Sequence, residues 1–182
     1  MDVNAALFWV DLETTGLDEQ QEYPLSVAAL ATDKDLNELD PDGYEAVIYY
    51  PDLIAANLRN RAVPFVRDMH TTTRLWEQLP TGKLLSVVDS ELTSYFTQFA
   101  PEPRTSRLCG NSITLDRNFM RQYLPTAFNH LHYRSVDVSS IAGPASWWGY
   151  GEFQKQRTHS AFDDIRESLA ELRWLKKHVF DR

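Results

Sequence analysis

A chain of 182 residues with 43 per cent apolar and 24 per cent charged side chains is sized and composed for one globular domain, which excludes wholesale disorder. A net charge of −8 argues against a protein that grips long nucleic acid through many phosphate contacts, but permits a local site, short substrates or bridging metals. The single cysteine, Cys109, excludes an internal disulfide and a thiolate metal cluster; it points to a reducing compartment and reads as a small buried hydrophobe.

The opening Met1-Asp2-Val3-Asn4 carries no basic leader region, and no apolar run reaches the length of a membrane span. A soluble, cytoplasmic protein without a membrane partner is therefore expected. Leu7 onward is an apolar run suited to a buried central strand, and the chain turns at Gly16. Side chains on a strand alternate faces, so Asp11 and Glu13 point the same way as Leu7 and Trp9, while Phe8, Val10 and Leu12 fill the other face. Two adjacent buried carboxylates are costly unless a cation lies between them, and a divalent metal ion is the simplest such cation. The alternative is a strand that ends at Val10 and leaves both acids in solvent.

A polar turn from Asp18 to Glu22 leads through Pro24 to a second strand, Leu25 to Ala31. A third strand is expected over Ala46 to Tyr50, stopped by Pro51. Helical pieces follow around residues 53–60, 64–69 and 73–79, with a break at Thr81-Gly82. Val88, Leu92, Tyr95, Phe96 and Phe99 recur at helical spacing, and Ser86 with Asp89 resembles a capping box. Arg107 to Gly110 reads as a short strand, Leu115 to Tyr123 as a helix stopped by Pro125, and Ser135 to Val138 as the last strand. Residues 143–157 read as a loop packed by aromatics, including Trp147 and Trp148. Phe162, Ile165, Leu169, Leu172, Leu175 and Val179 form one stripe of a final helix, with Ser160 as N-cap and Asp163 completing its capping box. The order predicts an α/β domain over residues 1–182, a mixed five-stranded sheet flanked by helices.

Asp116 sits in the first turn of its helix and Asp164 in the first turn of the last, where acids also favour the macrodipole. With Asp11 and Glu13 they make four acids at a strand end or in first helical turns, where α/β folds gather their sites. Oxygen donors without cysteine suit Mg²⁺ or Mn²⁺ better than Zn²⁺. A pair of such ions roughly 3.5–4 Å apart can activate a water and stabilise the leaving oxygen of a phosphodiester. His159, just before the last helix, has the chemistry to take the proton from that water. His70, His130, His132 and His178 have by themselves no stronger reading than packing or loop residues.

Asp11-x-Glu13-x-Thr15-Gly16, Asn111-Ser112-x-x-x-Asp116 and His159-x-x-x-x-Asp164 resemble the three motifs of the DEDDh 3′→5′ exonucleases, whose fold is ribonuclease-H-like. Within that superfamily the stretches Asp11 to Asp18, Thr32 to Asn37, Cys109 to Ile113, His132-Tyr133-Arg134, Asp137-Val138-Ser139 and Asp163 to Ser168 are similar to the oligoribonuclease family. The resemblance implies hydrolysis of very short RNA, dinucleotides included, from the 3′ end to 5′-mononucleotides. It also implies two divalent cations on Asp11, Glu13, Asp116 and Asp164, with His159 as general base. Leu17 would wedge against the bases, His70 would lie near the substrate, and Ser112 and Ser139 would hold the 5′-phosphate end. Tyr133 and Arg134 would reach a neighbouring subunit's site, which implies a homodimer. The chain departs from the pattern at Ser26, where the family usually has an acid, and at Ile141-Ala142-Gly143-Pro144, where it has a charged helix. Residues 51–68 match poorly apart from the region around His70. The competing expectations are a proofreading or repair exonuclease that trims single-stranded DNA, separated from the first by contacts to the 2′-hydroxyl, and a catalytically silent nucleic-acid-binding relative.

Overall fold

Strand β1, Leu7–Thr14, lies at the centre of a five-stranded sheet in the computed structural model, which describes residues 6–154 and 161–180. It pairs antiparallel with β2, Pro24–Thr32, and β2 pairs antiparallel with β3, Tyr44–Val47. On the other side of β1 come β4, Arg107–Gly110, and β5, Val136–Asp137, both parallel to it, so the order is β3-β2-β1-β4-β5. The helices, in chain order, are α1 (Asp52–Arg61), α2 (Pro64–Thr72), α3 (Leu75–Gln78), α4 (Leu85–Phe99), α5 (Thr114–Tyr123), α6 (Pro125–His130), α7 (Ser139–Trp147) and α8 (Ala161–Leu175). The expected mixed sheet flanked by helices is the architecture found.

The period-2 alternation of β1 decides which helices cover which face. Phe8, Val10 and Leu12 pack with Leu92 and Phe96 of α4, Phe119 and Met120 of α5 and Ala127 of α6. Trp9 packs on the opposite face with Ile165 and Leu169 of α8. Asp11 and Glu13 share the face of Trp9 and so look toward α8. A third cluster, of Ala55, Leu58, Leu75, Trp76 and Leu79, seats α1 to α3 against Leu25. Cys109 is buried, as expected.

Local rules misplaced several details. The third strand ends at Val47; Ile48 still donates its N–H to the Leu25 carbonyl of β2 at 2.8 Å, but the chain then turns to Lys83, whose carbonyl takes the Tyr49 N–H at 2.7 Å. Helix α4 begins at Leu85 with no side-chain cap, so Ser86 is already inside it. Asp89 is buried and caps a different helix, accepting the N–H groups of Thr126 (3.1 Å) and Ala127 (2.9 Å). Pro125 does end α5 but also opens α6 at its first residue, where a missing N–H costs nothing.

A further correction is α7. Residues 143–147, expected in a loop, are helical, and the last strand is only Val136–Asp137. The helix continues past Pro144, whose carbonyl accepts the Trp148 N–H at 3.0 Å, and it stops at Gly149, where φ is +83°. After α8 the chain widens into a π-helical turn, Lys176–Phe180. The Ser160 cap lies outside the described residues.

Candidate active site

Three carboxylates converge where β1 ends against the start of α8. Asp11, Glu13 and Asp164 each offer an oxygen, and the three oxygens lie within 4.8 Å of one another. Burial, followed by the negative charge of Asp164, pushes the Asp11 carboxyl up to about 7. Burial, followed by the charges of Asp11 and Asp164, pushes Glu13 up to about 8. Like charges held this close disfavour ionisation, and a hard divalent cation among the oxygens removes the penalty. The donor set fits such an ion: oxygen only, partly buried, with one atom from each of three side chains. Ser26, opposite Glu13 in the β1–β2 register, adds no further charge.

Asp116 joins from the other side of the strand. Its pairing partner β4 reaches only as far as Trp9, so the end of β1 runs on without a neighbour there. The Asp116 carboxylate fills that place, Oδ1 accepting the Leu12 N–H at 2.9 Å. Burial, then the charge of Asp11, hold its carboxyl well above the usual range. Position 110 leaves little room for a side chain, since a Cβ there would lie 2.8 Å from Ile113 Cδ1 and 3.2 Å from the Val10 carbonyl. Asn111, next in line, donates from Nδ2 to Ser168 Oγ and Glu171 Oε2, each at 2.9 Å, and so ties the end of β4 to α8. His159 lies outside the described residues, five positions before Asp164 in the chain.

His70 is wholly buried, its ring edge-on to Trp76. Its Nε2 lies 3.0 Å from the Thr14 carbonyl and its Nδ1 3.8 Å from Glu13 Oε2. Thr14 stands opposite Pro24, past a register shift, and proline has no N–H to offer that carbonyl. His70 supplies the missing donor, and burial lowers its pKa from the ordinary imidazole value. The ring therefore forms the wall behind Glu13.

Leu17 stands 79 % exposed on a loop that is closed at its base. Thr15 N–H donates to the Tyr23 carbonyl, Tyr23 N–H to Thr15 Oγ, and the Thr15 hydroxyl to Glu22 Oε2 at 2.5 Å. The Tyr123 hydroxyl, at the end of α5, donates to the Glu22 carbonyl at 2.6 Å.

Ser112 and Ser139 are brought together by a residue whose part had not been foreseen. Asp137 Oδ1 accepts the Ser112 N–H (3.1 Å), the Ser139 N–H (3.0 Å) and the Ser139 hydroxyl (2.6 Å). The signal available in the sequence was the Asp-x-Ser spacing of an Asx turn. Ser112 itself has φ +51°, which turns the chain between β4 and α5. Tyr133 and Arg134 sit at the tip of the loop between α6 and β5, with Tyr133 71 % exposed. His132 stacks on the Tyr133 ring at 4.4 Å, and the Arg134 guanidinium lies 5.3 Å from its centre.

The sequence model of the family RNase_T, described as exonuclease, matches residues 8–172. An oligoribonuclease of Leifsonia xyli subsp. xyli is 41 % identical over 178 residues, covering 96 % of this chain and 84 % of that protein. Oligoribonucleases of Francisella tularensis subsp. holarctica and Streptomyces avermitilis are 37 % and 36 % identical, covering 95 % and 98 % of this chain and 95 % and 88 % of theirs. Among solved structures, an exonuclease I from Methylocaldum szegediense superposes with TM-score 0.72 at 16 % identity. E. coli exonuclease I in complex with a dA16 oligonucleotide superposes with TM-score 0.70 at 15 % identity. Each alignment covers 96 % of this chain but only 41 % of the structure, so the chain spans about two fifths of their length and the likeness speaks for the fold.

Proposed function

We infer that this chain, which belongs to the RNase_T exonuclease family and within it to the oligoribonucleases, is a 3′→5′ exoribonuclease that degrades very short RNA to 5′-mononucleotides. The convergence of Asp11, Glu13 and Asp164 is the observation that carries the chemistry. We further propose that residues 1–182 form a single catalytic domain and that the acid site, with Asp116, holds two divalent cations, Mg²⁺ or Mn²⁺. When bound, such ions supply an activated water and charge stabilisation of the leaving oxygen.

The protein's own groups do the rest. His159 accepts the proton of the attacking water on its imidazole. The new bond forms from water oxygen to phosphorus, the bond to the 3′ oxygen of the preceding nucleotide breaks, and that oxygen takes a proton from solvent and leaves as a hydroxyl. Leu17, on its closed loop, wedges against the bases. Ser112 and Ser139, fastened through Asp137, receive the 5′-phosphate end, and His70 backs the site behind Glu13. Tyr133 and Arg134 close the substrate from a neighbouring subunit, so the enzyme acts as a homodimer. The exposure of Tyr133, on a loop already stacked in place, supports that role.

This arrangement accounts for the charge of −8, because a short substrate capped from two sides needs few phosphate contacts. No helix among the described residues is long and apolar enough to cross a membrane; the single cysteine, which points to a reducing compartment, supports a cytoplasmic enzyme.

The test is hydrolysis of 5′-labelled RNA of two, five and twenty nucleotides with Mg²⁺, beside matched DNA. Rapid cleavage of the dinucleotide with little action on the twenty-mer is expected. Processive trimming of long strands, DNA included, places the protein with proofreading enzymes instead. Absence of cleavage with both Mg²⁺ and Mn²⁺ makes it a binding relative.

A further inference from the structure

Arg117 follows Asp116 on α5, one helical step, about 100°, around the axis. While Asp116 turns toward β1, Arg117 reaches the loop that carries Tyr133 and Arg134. Its Nη1 donates to the His132 carbonyl and to Ser135 Oγ, each at 3.3 Å. Its guanidinium carbon lies 5.0 Å from the centre of the Phe128 ring on α6. One side chain thus holds the residue before the tip, the residue after it, and the helix that leads into it. Arg134 N–H adds an internal bond to His132 Nδ1 at 3.0 Å, and His132 N–H is held by the Ser106 carbonyl at 2.8 Å.

An exposed tyrosine gains little from burial, and freezing its loop costs conformational entropy. Order of this kind lowers the cost of a later binding event. We propose that Arg117 is a positioning residue for substrate binding: it sets the Tyr133–Arg134 tip in the orientation that grips RNA. This rests on the reading that the tip completes a neighbouring subunit's site. Each α5 then serves two sites, its own through Asp116 and its neighbour's through Arg117.

The experiment is a double-mutant cycle on hydrolysis of an RNA dinucleotide. Arg117→Met keeps the aliphatic stem over Phe128 and removes the donors. Alone it is expected to raise KM on the order of ten-fold with kcat little changed and Mn²⁺ affinity intact, a split that loss of folded protein does not produce. On a Tyr133→Ala, Arg134→Ala background it should cost nothing more, because the tip it positions is gone. Losses that multiply overturn the proposal. So does a lower Tm with unaltered KM.

Doubly tagged mixed dimers test the placement separately. A dimer of Arg117→Met with Asp11→Ala has one site with intact acids and an intact tip, and is expected to recover about half of wild-type turnover at low substrate. Recovery by a Tyr133→Ala and Asp11→Ala dimer but not by this one refutes Arg117 as a residue acting across the interface. Recovery by neither refutes the shared site, and the cycle alone then decides for or against Arg117.

Discussion

The Asp116 carboxylate accepts the main-chain N–H of Leu12 at 2.9 Å, across 104 positions of sequence. The bond makes one acid part of both the sheet and the site, since Leu12 lies between Asp11 and Glu13. It also separates what Asp116 does for the fold from what its charge does for chemistry. Asp116→Asn keeps an oxygen for Leu12 and removes the charge beside Asp11. The variant should fold, with a Tm in chelator at or above wild type, and lose at least on the order of 10² in rate. Asp116→Ala also strands the Leu12 N–H, at a cost of about 1–3 kcal/mol. Thermal scans and dinucleotide hydrolysis of the two variants check this; near-native turnover of Asp116→Asn would remove it from the metal site.

Stability without metal should depend on pH in an unusual direction. Asp11 and Glu13 titrate near 7 and 8 in the folded chain, against about 4 when unfolded. Between those values the folded state holds protons that the unfolded state has released. Stability is therefore fully present below pH of about 4 and is lost as the pH rises toward 8. A bound cation favours the ionised form, so the gain in Tm on adding Mg²⁺ should grow over the same range. Calorimetry from pH 5 to 8.5, in chelator and in Mg²⁺, reads both. A flat or rising Tm in chelator would mean that neither burial nor their mutual charge raises the two carboxyls in the folded chain.

His159→Ala should lower the hydrolysis rate on the order of 10²–10⁴, the range for loss of a general base. Titration calorimetry with Mn²⁺ should show metal binding unchanged. Weakened metal binding would make His159 a ligand.

Tyr123→Phe removes the hydroxyl that holds the Glu22 carbonyl at 2.6 Å and so frees the loop bearing Leu17. A stability loss of about 1 kcal/mol is expected, with KM for the dinucleotide rising on the order of ten-fold, as for Leu17→Ala. If stability falls while KM stays put, the bond serves the fold alone.

Much of this protein could be read from its residues in order. Periodicity located the central strand, helices α4 and α8 and the face on which Asp11 and Glu13 lie, because alternation and helical repeat are local properties of the backbone. The motif spacings singled out the acids, and Asp11, Glu13 and Asp164 do meet. Tertiary structure decided what those groups bond to. Asp89, read as a cap for its own helix, closes α6 some 37 residues away. His70, a bland histidine by local rules, replaces the donor that Pro24 denies to Thr14. Pro144 and Gly143, read as loop formers, sit inside α7, where packing on α8 outweighs their propensity. Asp137 gathers two serines, and Arg117 holds a loop by both shoulders. A carboxylate or guanidinium satisfies whichever donor or acceptor the fold brings near, and that choice depends on segments whose proximity exists only once the chain has closed on itself.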